Sequence, residues 1–334
     1  MTGDDNTDPT TPIGPRHAAP SPGTVSDAAL PVASGTESAD AATRTAGPPA
    51  QEADAAPALV VEALDHTFAT RTVLEGISLR LDAGRTIALV GPSGCGKTTL
   101  LNLCAGLLDV QDGRVHNGFV RTGLLFQQPH LLPWKTTEDN IALGLKARGV
   151  GRRERLAAAR TMGNTLGLDA LALGQFPHEL SGGMQSRAAL ARALVLEPDL
   201  LLLDEPFAAL DIGLKAQMHR LLLTQKAARQ LAVLMITHDV MEAVTLADTV
   251  LVMARDPGRF VWRMDLSVPA IQRDDAWVYQ QTATLLAQPV VRAAFDLPQT
   301  DAVRTDAGTA TAPLVATGQP IHSVPRSAHR KNAC

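Results

Sequence analysis

The stretch that decides the fold is Thr86-Ile-Ala-Leu-Val90-Gly91-Pro-Ser-Gly-Cys-Gly-Lys97-Thr98-Thr99. Its first five residues are almost continuously apolar, which is typical of a strand that is covered on both faces of a sheet. The remainder matches the pattern G-x-x-x-x-G-K-[ST], with Gly91 and Gly96 as its fixed glycines. In this pattern successive backbone N–H groups surround a phosphate, and the helix that follows adds its dipole. The sequence therefore predicts a strand, a phosphate-binding turn and a helix.

Two side chains of this turn carry chemistry. Lys97 is placed to reach the β and γ phosphates of a nucleotide, and the Thr98 hydroxyl is a ligand for Mg²⁺. The alternative, a glycine-rich turn with an incidental lysine, is disfavoured because a strand precedes the motif and a helix follows it. The residues predicted to contact the nucleotide are Gly91, Pro92, Ser93, Gly94, Cys95, Gly96, Lys97, Thr98 and Thr99.

A second motif, Leu200-Leu-Leu-Leu-Asp204-Glu205-Pro206, puts two carboxylates at the end of a buried strand. Open α/β sheets bind their ligands at this end of the strands. Asp204 would hold Mg²⁺ through water, and Glu205 would polarise the attacking water. The alternative is a strand that simply ends in polar residues, and the phosphate loop earlier in the chain disfavours it.

The 334 residues divide into three regions of different composition. Residues 1–57 are rich in Ala, Pro and Thr, contain eight acidic residues and two arginines, and lack aromatic residues. Such a segment cannot bury enough apolar surface to fold, so 1–57 is predicted to be disordered, and 300–334 likewise. The remaining region, 58–299, has a net charge of zero, which argues against nucleic acid as a partner.

Other features of the sequence exclude further classes of protein. The longest purely apolar run is Leu231–Ile236, much shorter than a membrane-spanning helix requires. The N-terminus, Met-Thr-Gly-Asp-Asp, lacks the apolar segment of a secretion signal. Three cysteines are too few for a disulfide scaffold and are not spaced as zinc ligands.

Predicted strands and helices alternate along most of 58–299. Strands are expected at Leu59–Val61, 77–81, 86–90, 123–126, 200–203, 232–237 and 249–253. This alternation predicts a parallel sheet with helices on both faces. A helical stretch interrupts the alternation and is predicted to form a helical subdomain at about 135–195.

A third motif, Leu180-Ser181-Gly182-Gly183-Met184-Gln185, places a serine and two glycines at the start of a predicted helix. Such a helix start is again an anion-binding arrangement. With this motif the sequence closely resembles the ATP-binding subunits of ABC transporters, over about 58–265. The resemblance implies an α/β fold, the P-loop NTPase ABC cassette. Such a cassette has a RecA-like core, an antiparallel β subdomain and an inserted helical subdomain.

The resemblance also gives roles to residues outside the three motifs. Gln127 resembles the glutamine that links the metal and the water, and His238 resembles the switch histidine. Phe68 matches the aromatic residue that stacks on adenine, and Asp211 lies in the loop that runs between two subunits. The implied catalytic residues are Glu205 as general base, His238 at the γ-phosphate, Gln127 and Lys97, and the implied metal ligands are Thr98, Gln127 and Asp204.

The family arrangement is a head-to-tail pair of copies. It places each ATP, with Mg²⁺, between the phosphate loop of one copy and Ser181, Gly182 and Gly183 of the other. The sequence departs from the family pattern at Met184, Ser186, Ala208 and Phe68. None of these changes removes a group that hydrolysis needs, although Ser186 could alter packing behind the signature motif.

The loops near Gln127 carry a narrower resemblance. Phe126-Gln127, Leu131-Leu132-Pro133-Trp134 and Pro177-His178-Glu179 are similar to the corresponding loops of the nitrate, sulfonate and taurine importer branch. By resemblance, the apolar loop at Leu131–Trp134 lies where cytoplasmic helices of the membrane subunit dock. The alternative is that Leu131 and Trp134 are ordinary core residues, as apolar residues usually are.

These features predict an ATPase subunit that energises an importer of a small anion such as nitrate, a sulfonate or taurine. Its implied partners are a second copy, membrane-spanning permease subunits and, indirectly, a periplasmic or extracellular solute-binding protein. Its expected location is the cytoplasmic face of the cell membrane, as a peripheral subunit. A soluble ABC ATPase is the alternative, but such proteins usually carry two cassettes or a long inserted coiled coil. A non-hydrolysing sensor is disfavoured because Lys97, Asp204, Glu205 and His238 are all present.

Overall fold

The computed structural model describes residues 56–298 and 318–321, which all belong to one unit of the chain, 53–334. Single turns of 3₁₀ helix lie at Pro177–Glu179 and Ala270–Gln272. In chain order the elements of the described part are β1 (Ala58–Phe68), β2 (Arg71–Asp82), β3 (Thr86–Val90), α1 (Lys97–Cys104), β4 (Asp112–Asn117), β5 (Thr122–Leu125), α2 (Thr137–Ile141), α3 (Leu143–Ala147), α4 (Arg152–Thr165), α5 (Ala170–Gly174), α6 (Gly182–Leu194), β6 (Leu200–Asp204), α7 (Ile212–Arg229), β7 (Ala232–Ile236), α8 (Val240–Leu246), β8 (Thr249–Ala254), β9 (Arg259–Asp265), α9 (Asp275–Leu286), α10 (Pro289–Ala294) and β10 (Gly318–Pro320).

The larger of two sheets has seven strands in the order β10-β9-β8-β3-β7-β6-β5. The five strands from β8 to β5 run parallel to one another, whereas β9 and β10 add to the β8 edge in antiparallel orientation. The carboxyl ends of β3, β5, β6 and β7 therefore meet at one edge, where parallel sheets bind ligands. This confirms the α/β fold class that the sequence predicts.

The smaller sheet is antiparallel and has the order β2-β1-β4. Along β1 the pairing with β2 shifts three times between Val61 and Thr67, so the strand is irregular before it ends at Phe68. The sheet corresponds to the antiparallel β subdomain that the resemblance implies. Residues of β1 and β2 share a buried core with α1, which places this sheet beside the phosphate loop.

Two hydrophobic cores cover the two faces of the large sheet. Along β6 the side chains alternate between them: Leu201 and Leu203 face one core, and Leu200 and Leu202 face the other. The four successive leucines fit this position, because the strand is buried on both faces. The first core includes α6, α7 and α8, and the second includes α1 and the small sheet.

Between β5 and β6 the chain forms a group of helices in which α2 contacts α4, α5 and α6. The buried Asn140 of α2 holds the loop before this helix. Its Oδ1 accepts from the Leu132 amide at 2.7 Å, and its Nδ2 lies 3.0–3.1 Å from the carbonyl oxygens of Leu132, Lys135 and Thr136. Among the described residues, every helix falls short of the length and apolarity that crossing a membrane requires.

The structure contains strands that local sequence pattern did not predict. Strands β4 and β9 were not expected, and β10 lies within 300–334, a region predicted to be disordered. That prediction is wrong for Gly318–Pro320, which pairs with Trp262–Met264 of β9. The physical reason is that β9 offers an open row of N–H and C=O groups to a neighbouring strand. Most of the predicted head, 1–55, and the segments 299–317 and 322–334 lie outside the described residues.

Candidate functional site

The phosphate loop joins β3 to α1 and needs glycine at its two fixed positions. A Cβ on Gly91 would lie 2.4 Å from the Met253 carbonyl oxygen, and one on Gly96 would lie 2.6 Å from Leu74 Cδ2. Gly96 also has a φ of +96°, in the left-handed region that other residues rarely adopt. The loop is therefore held tightly against β8 and β2, which leaves its outer side for a ligand.

Lys97 lies inside this loop. Its Nζ donates to the carbonyl oxygens of Gly91 at 2.8 Å and Pro92 at 2.9 Å, and its side chain is almost completely buried. No side chain caps the N-terminus of α1, whereas Ser181, Asp211, Asp239 and Asp274 cap α6, α7, α8 and α9. The uncapped amides and the buried ammonium group together fit an anion such as a nucleotide phosphate.

The end of β6 brings a carboxylate to the start of α1. Thr98 Oγ1 donates to Asp204 Oδ2 at 2.8 Å. Burial raises the pKa of Asp204, and nearby Glu205 raises it further, although the hydrogen bond from Thr98 and the charge of Lys97 oppose the rise. A cation held beside Asp204 would offset the cost of keeping this carboxylate charged.

The hydroxyl of Thr98 and the carboxylate of Asp204 are oxygen donors of the kind that fits Mg²⁺. Mg²⁺ is usually held by one or two protein oxygens and otherwise by phosphates and water. Residues 56–298 and 318–321 contain no group of three or more His, Cys, Asp or Glu side chains placed to bind a metal. Gln127, the third predicted ligand, is exposed and lies next to Glu205.

Glu205 is the meeting point of the site. Gln127 Nε2 lies 3.4 Å from Glu205 Oε2, and His238 Nδ1 lies 3.4 Å from the same oxygen. Glu205 has a φ of +48°, and its amide donates to the Ile236 carbonyl oxygen at 2.9 Å. A strained backbone of this kind is concentrated at functional positions, where surrounding structure holds it. The carboxylate is thus aimed between the ends of β5 and β7.

Phe68 ends β1 and is about half exposed. Its ring packs edge-on against the buried His66, with 4.7 Å between the ring centroids. Leu74 pairs with His66 across β1 and β2 and also packs on Gly96, so the strands that carry Phe68 are fixed against the phosphate loop. An exposed, fixed aromatic face beside the loop can stack on a nucleobase.

Ser181, Gly182, Gly183 and Asp211 form a second group. The Ser181 hydroxyl accepts from the Met184 amide at 3.3 Å, and Asp211 Oδ1 accepts from the Leu214 amide at 2.9 Å, so both hydrogen bonds stay within the following helix. A Cβ on Gly183 would lie 3.4 Å from the Ala209 carbonyl oxygen, which places the two segments side by side. Ser181, Gly182 and Asp211 are exposed and available to a second chain.

The sequence left open whether Leu131 and Trp134 of the apolar loop are core residues or part of a docking surface. The two side chains differ in burial. Leu131 is half buried and packs on the larger core, whereas the Trp134 side chain is 71% exposed. Trp134 is therefore not a core residue of this chain. Asn140 fixes the loop from beneath, so the indole is presented on an ordered backbone.

Sequence reasoning missed three polar residues behind the site: Lys215 and His219 of α7 and Glu242 of α8. Lys215 Nζ lies 3.1 Å from Glu242 Oε1, and His219 Nε2 lies 3.6 Å from the same atom. Part of this cluster could be read from the sequence. Lys215 and His219 are one turn apart on α7 and therefore lie on the same face, and Glu242 is an acidic residue on a mostly buried helix. Periodicity could not show that the two helices meet.

Comparisons with known proteins agree with this geometry. The family model described as ABC transporter matches residues 74–208. The taurine import ATP-binding protein TauB of Rhizobium johnstonii is 47% identical over 207 residues, which cover 59% of this chain and 78% of that protein. The TauB protein of Escherichia coli O157:H7 is 42% identical over 216 residues, covering 61% and 84%.

Two solved structures of the ATP-binding cassette MJ0796 are also similar. A dimeric structure of a post-hydrolysis state bound to ADP and Pi has a TM-score of 0.54 and 25% identity, and covers 58% of this chain and 93% of the cassette. A second dimeric structure of this bacterial ABC transporter cassette has a TM-score of 0.56 and 26% identity, with the same coverage.

The fold and the site define a P-loop ATPase of the ATP-binding cassette class, with a phosphate loop, an acidic strand end and a signature helix on an inserted helical region. The chain belongs to the family of ABC transporter ATP-binding subunits. It binds nucleotide and acts as an ATPase.

Proposed function

We propose that two copies of this chain hydrolyse ATP to energise the import of a small organic or inorganic anion of the taurine, sulfonate and nitrate class. The observation that carries the proposal is the convergence of Gln127 and His238 on Glu205, beside a phosphate loop. The identity to taurine import ATP-binding proteins supports the solute class. The two alternatives are a soluble ABC ATPase and a non-hydrolysing nucleotide sensor. No feature of the described residues specifically favours either of them.

The phosphate loop and α1 bind the triphosphate. Backbone amides from Gly91 to Thr99 surround its oxygens, and Lys97 turns from its two carbonyl partners toward the β and γ phosphates. Phe68 stacks on the adenine. Thr98 and Asp204, with Gln127, hold Mg²⁺, which when bound offsets the charge of the phosphates.

Glu205 is the general base. Its carboxylate accepts the proton of the attacking water, and a positioned base typically contributes roughly 10²–10⁴-fold to the rate. His238 orients the Glu205 carboxylate from one side and reaches the γ-phosphate, and Gln127 orients it from the other side. Most of the remaining acceleration comes from positioning and charge neutralisation of the transferred group.

The second copy completes the site. Ser181, Gly182 and Gly183 of the opposite copy bind the phosphates from the far side, and Asp211 lies in the loop between the copies. The exposure of Ser181, Gly182 and Asp211 supports this arrangement, as do the dimeric cassettes of similar structure. Hydrolysis then depends on closure of the pair.

The pair docks on membrane-spanning permease subunits at the cytoplasmic face of the membrane. The exposed Trp134, held on the Asn140-braced loop, inserts between helices of the permease. A solute-binding protein outside the membrane delivers the anion to the permease and contacts this chain only indirectly. The solute itself is chosen by those partners and not by the ATPase.

The test is the ATPase rate of the purified full-length chain as a function of its concentration, with Glu205→Gln as control. We expect the rate per chain to rise with concentration, since each site needs two copies, and to vanish in the control. A rate per chain that is independent of concentration over the whole range would contradict the two-copy site. Uptake assays in membranes that contain the cognate permease then compare taurine, alkyl sulfonates and nitrate.

A further inference from the structure

Behind Glu205 and His238 lies a cluster of charged side chains that the proposed hydrolysis does not use. Lys215 Nζ lies 2.8 Å from Asp239 Oδ2 and 3.1 Å from Glu242 Oε1. The Glu242 side chain is only 3% exposed, and that of Lys215 is 25% exposed. One ammonium group therefore joins two carboxylates that belong to the start of α8.

Two members of the cluster, Asp239 and Lys215, are close in the chain to residues of the proposed site. Asp239 directly follows His238 and caps α8 by accepting from the Glu242 amide at 3.1 Å. The Lys215 amide donates to the Asp211 carbonyl oxygen at 2.8 Å, so Lys215 lies one turn after the intersubunit residue. Lys215 thus connects the segment at Asp211 with the segment at His238.

The cluster also reaches the loop after Glu205. His219, one turn beyond Lys215 on α7, lies edge-on to the ring of Phe207, with 4.9 Å between the centroids. Its Nε2 lies 3.6 Å from Glu242 Oε1. Phe207 is fully buried and stands two residues after Glu205. The contacts of Lys215, His219 and Glu242 therefore connect three segments of the site. These segments contain Asp211, His238 and Glu205.

The charges of the cluster are mutually stabilised. Burial by itself would raise the pKa of Glu242, but His219, Thr237 and Lys215 outweigh it, and the pKa lies below its ordinary value. Burial would likewise lower the pKa of Lys215, but Asp239 and Glu242 outweigh it and raise the pKa. Both groups are therefore charged at neutral pH. Removal of one group leaves the other charge buried without its partner.

We propose that Lys215 is a positioning residue for ATP hydrolysis: through Asp239 and Glu242 it ties the Asp211 segment of α7 to the loop that presents His238 to Glu205. The inference rests on the proposed function, because it gives a purpose to the contact between His238 and Glu205. When Asp211 is moved by the partner copy, the rigid first turns of α7 transmit the movement through Lys215 to His238. Loss of this link lowers turnover without weakening nucleotide binding, since Lys215 lies behind the site and not in it.

The chain supplies a matched control on the same helix. Lys226 Nζ lies 2.5 Å from Asp248 Oδ2, and both side chains are largely buried. Asp248 also accepts from the amide of Thr86, the first residue of β3, so this pair lies at the amino edge of the sheet, opposite the site. Lys226→Met therefore removes a comparable buried ion pair that has no connection with His238.

The experiment compares Lys215→Met, Lys215→Arg and Lys226→Met in the full-length chain. For Lys215→Met we expect kcat to fall about 3- to 30-fold with KM for ATP unchanged, as for an interaction that orders the reacting state. Lys215→Arg keeps the positive charge and should restore most of kcat. Lys226→Met should lower the thermal stability and leave kcat unchanged. Hydrogen exchange of the peptide that contains residues 237–241 should become faster in Lys215→Met alone.

Several outcomes overturn the inference. Unchanged kcat and unchanged exchange in Lys215→Met would show that Lys215 does not position His238. Equal losses of kcat in Lys215→Met and Lys226→Met, in proportion to their losses of stability, would show a structural role only. If Lys215→Met does not fold, Lys215→Met with Glu242→Gln removes the stranded charge, and full kcat in this double variant overturns the role. Absence of hydrolysis in the wild type contradicts the proposed function instead, and the exchange measurement still decides the role of Lys215.

Discussion

The imidazole Nδ1 of His238 lies 3.4 Å from the carboxylate Oε2 of Glu205, although the two residues follow different strands. Strands β6 and β7 are parallel neighbours, with Asp204 paired to Ile236, so the residues after them emerge side by side. The left-handed backbone at Glu205 then turns its side chain toward the loop at His238. The contact is thus a consequence of strand register and of one unusual φ angle.

The first prediction concerns the proposed general base. Glu205→Gln keeps the size and the hydrogen bonds of the side chain but cannot accept the proton of the water. We expect ATP to bind with unchanged affinity and kcat to fall roughly 10²–10⁴-fold. Equilibrium binding of ATP and single-turnover hydrolysis measure the two effects separately. Turnover close to wild type in this variant would assign the base to another residue.

The second prediction concerns Phe68. Phe68→Ala removes the aromatic face beside the phosphate loop, and stacking of a base is worth about 1–3 kcal/mol. We therefore expect Kd for ATP to rise roughly 5- to 150-fold, while Phe68→Tyr retains the wild-type value. Binding of tripolyphosphate, which lacks a base, is the control and should not change. An equal loss for tripolyphosphate would show that Phe68 supports the loop and does not stack on adenine.

The contiguous motifs made much of this site predictable from sequence. The strand, turn and helix around Lys97 and the carboxylates after β6 are local patterns, and their meeting at one sheet edge follows from parallel topology. The link between Lys215 and Glu242 was not predictable, because it depends on how α7 packs against α8. For the same reason β9 and β10 were missed: their pairing is set by a neighbouring strand and not by local alternation.

The third prediction concerns the exposed indole of Trp134. If it inserts into the permease, Trp134→Ala should weaken assembly about 30-fold, which is the effect of losing an interface anchor worth ~2 kcal/mol. ATP binding should be unchanged, since the side chain points away from the chain's own core. The matched control is Tyr279→Ala, which removes another largely exposed aromatic side chain, on α9. Equal assembly of the two variants with the cognate permease would move the docking surface elsewhere.

The fourth prediction concerns the thiol of Cys104, the last residue of α1. Burial raises its pKa to about 12, so the thiol stays neutral up to strongly alkaline pH. Because only the thiolate reacts, alkylation by iodoacetamide at pH 9 should be about a hundredfold or more slower in the native chain than in urea. Trypsin separates residues 98–114, which contain Cys104, from the peptide that holds Cys95, so mass spectrometry reports it alone. Comparable rates in the two states would show that α1 opens readily.

The fifth prediction concerns His66. This side chain is 4% exposed, and neither ring nitrogen has a hydrogen-bond partner among the residues that the structure describes. A buried polar group without a partner costs about 1–3 kcal/mol, more than the edge-on contact with Phe68 returns. His66→Leu has a similar volume and no polar atoms, so we expect the free energy of unfolding in urea to rise by about 1 kcal/mol.

The control for this change is His116→Leu, on the exposed face of β4, where the free energy of unfolding should stay within about 0.5 kcal/mol. A clear loss of stability in His66→Leu alone would mean that the imidazole has a partner, such as an ordered water, and that the site beside Phe68 is hydrated. In that case the same variant should also raise Kd for ATP, because Phe68 would lose its fixed orientation. A rise in stability with unchanged Kd would instead show that the imidazole adds nothing to base stacking.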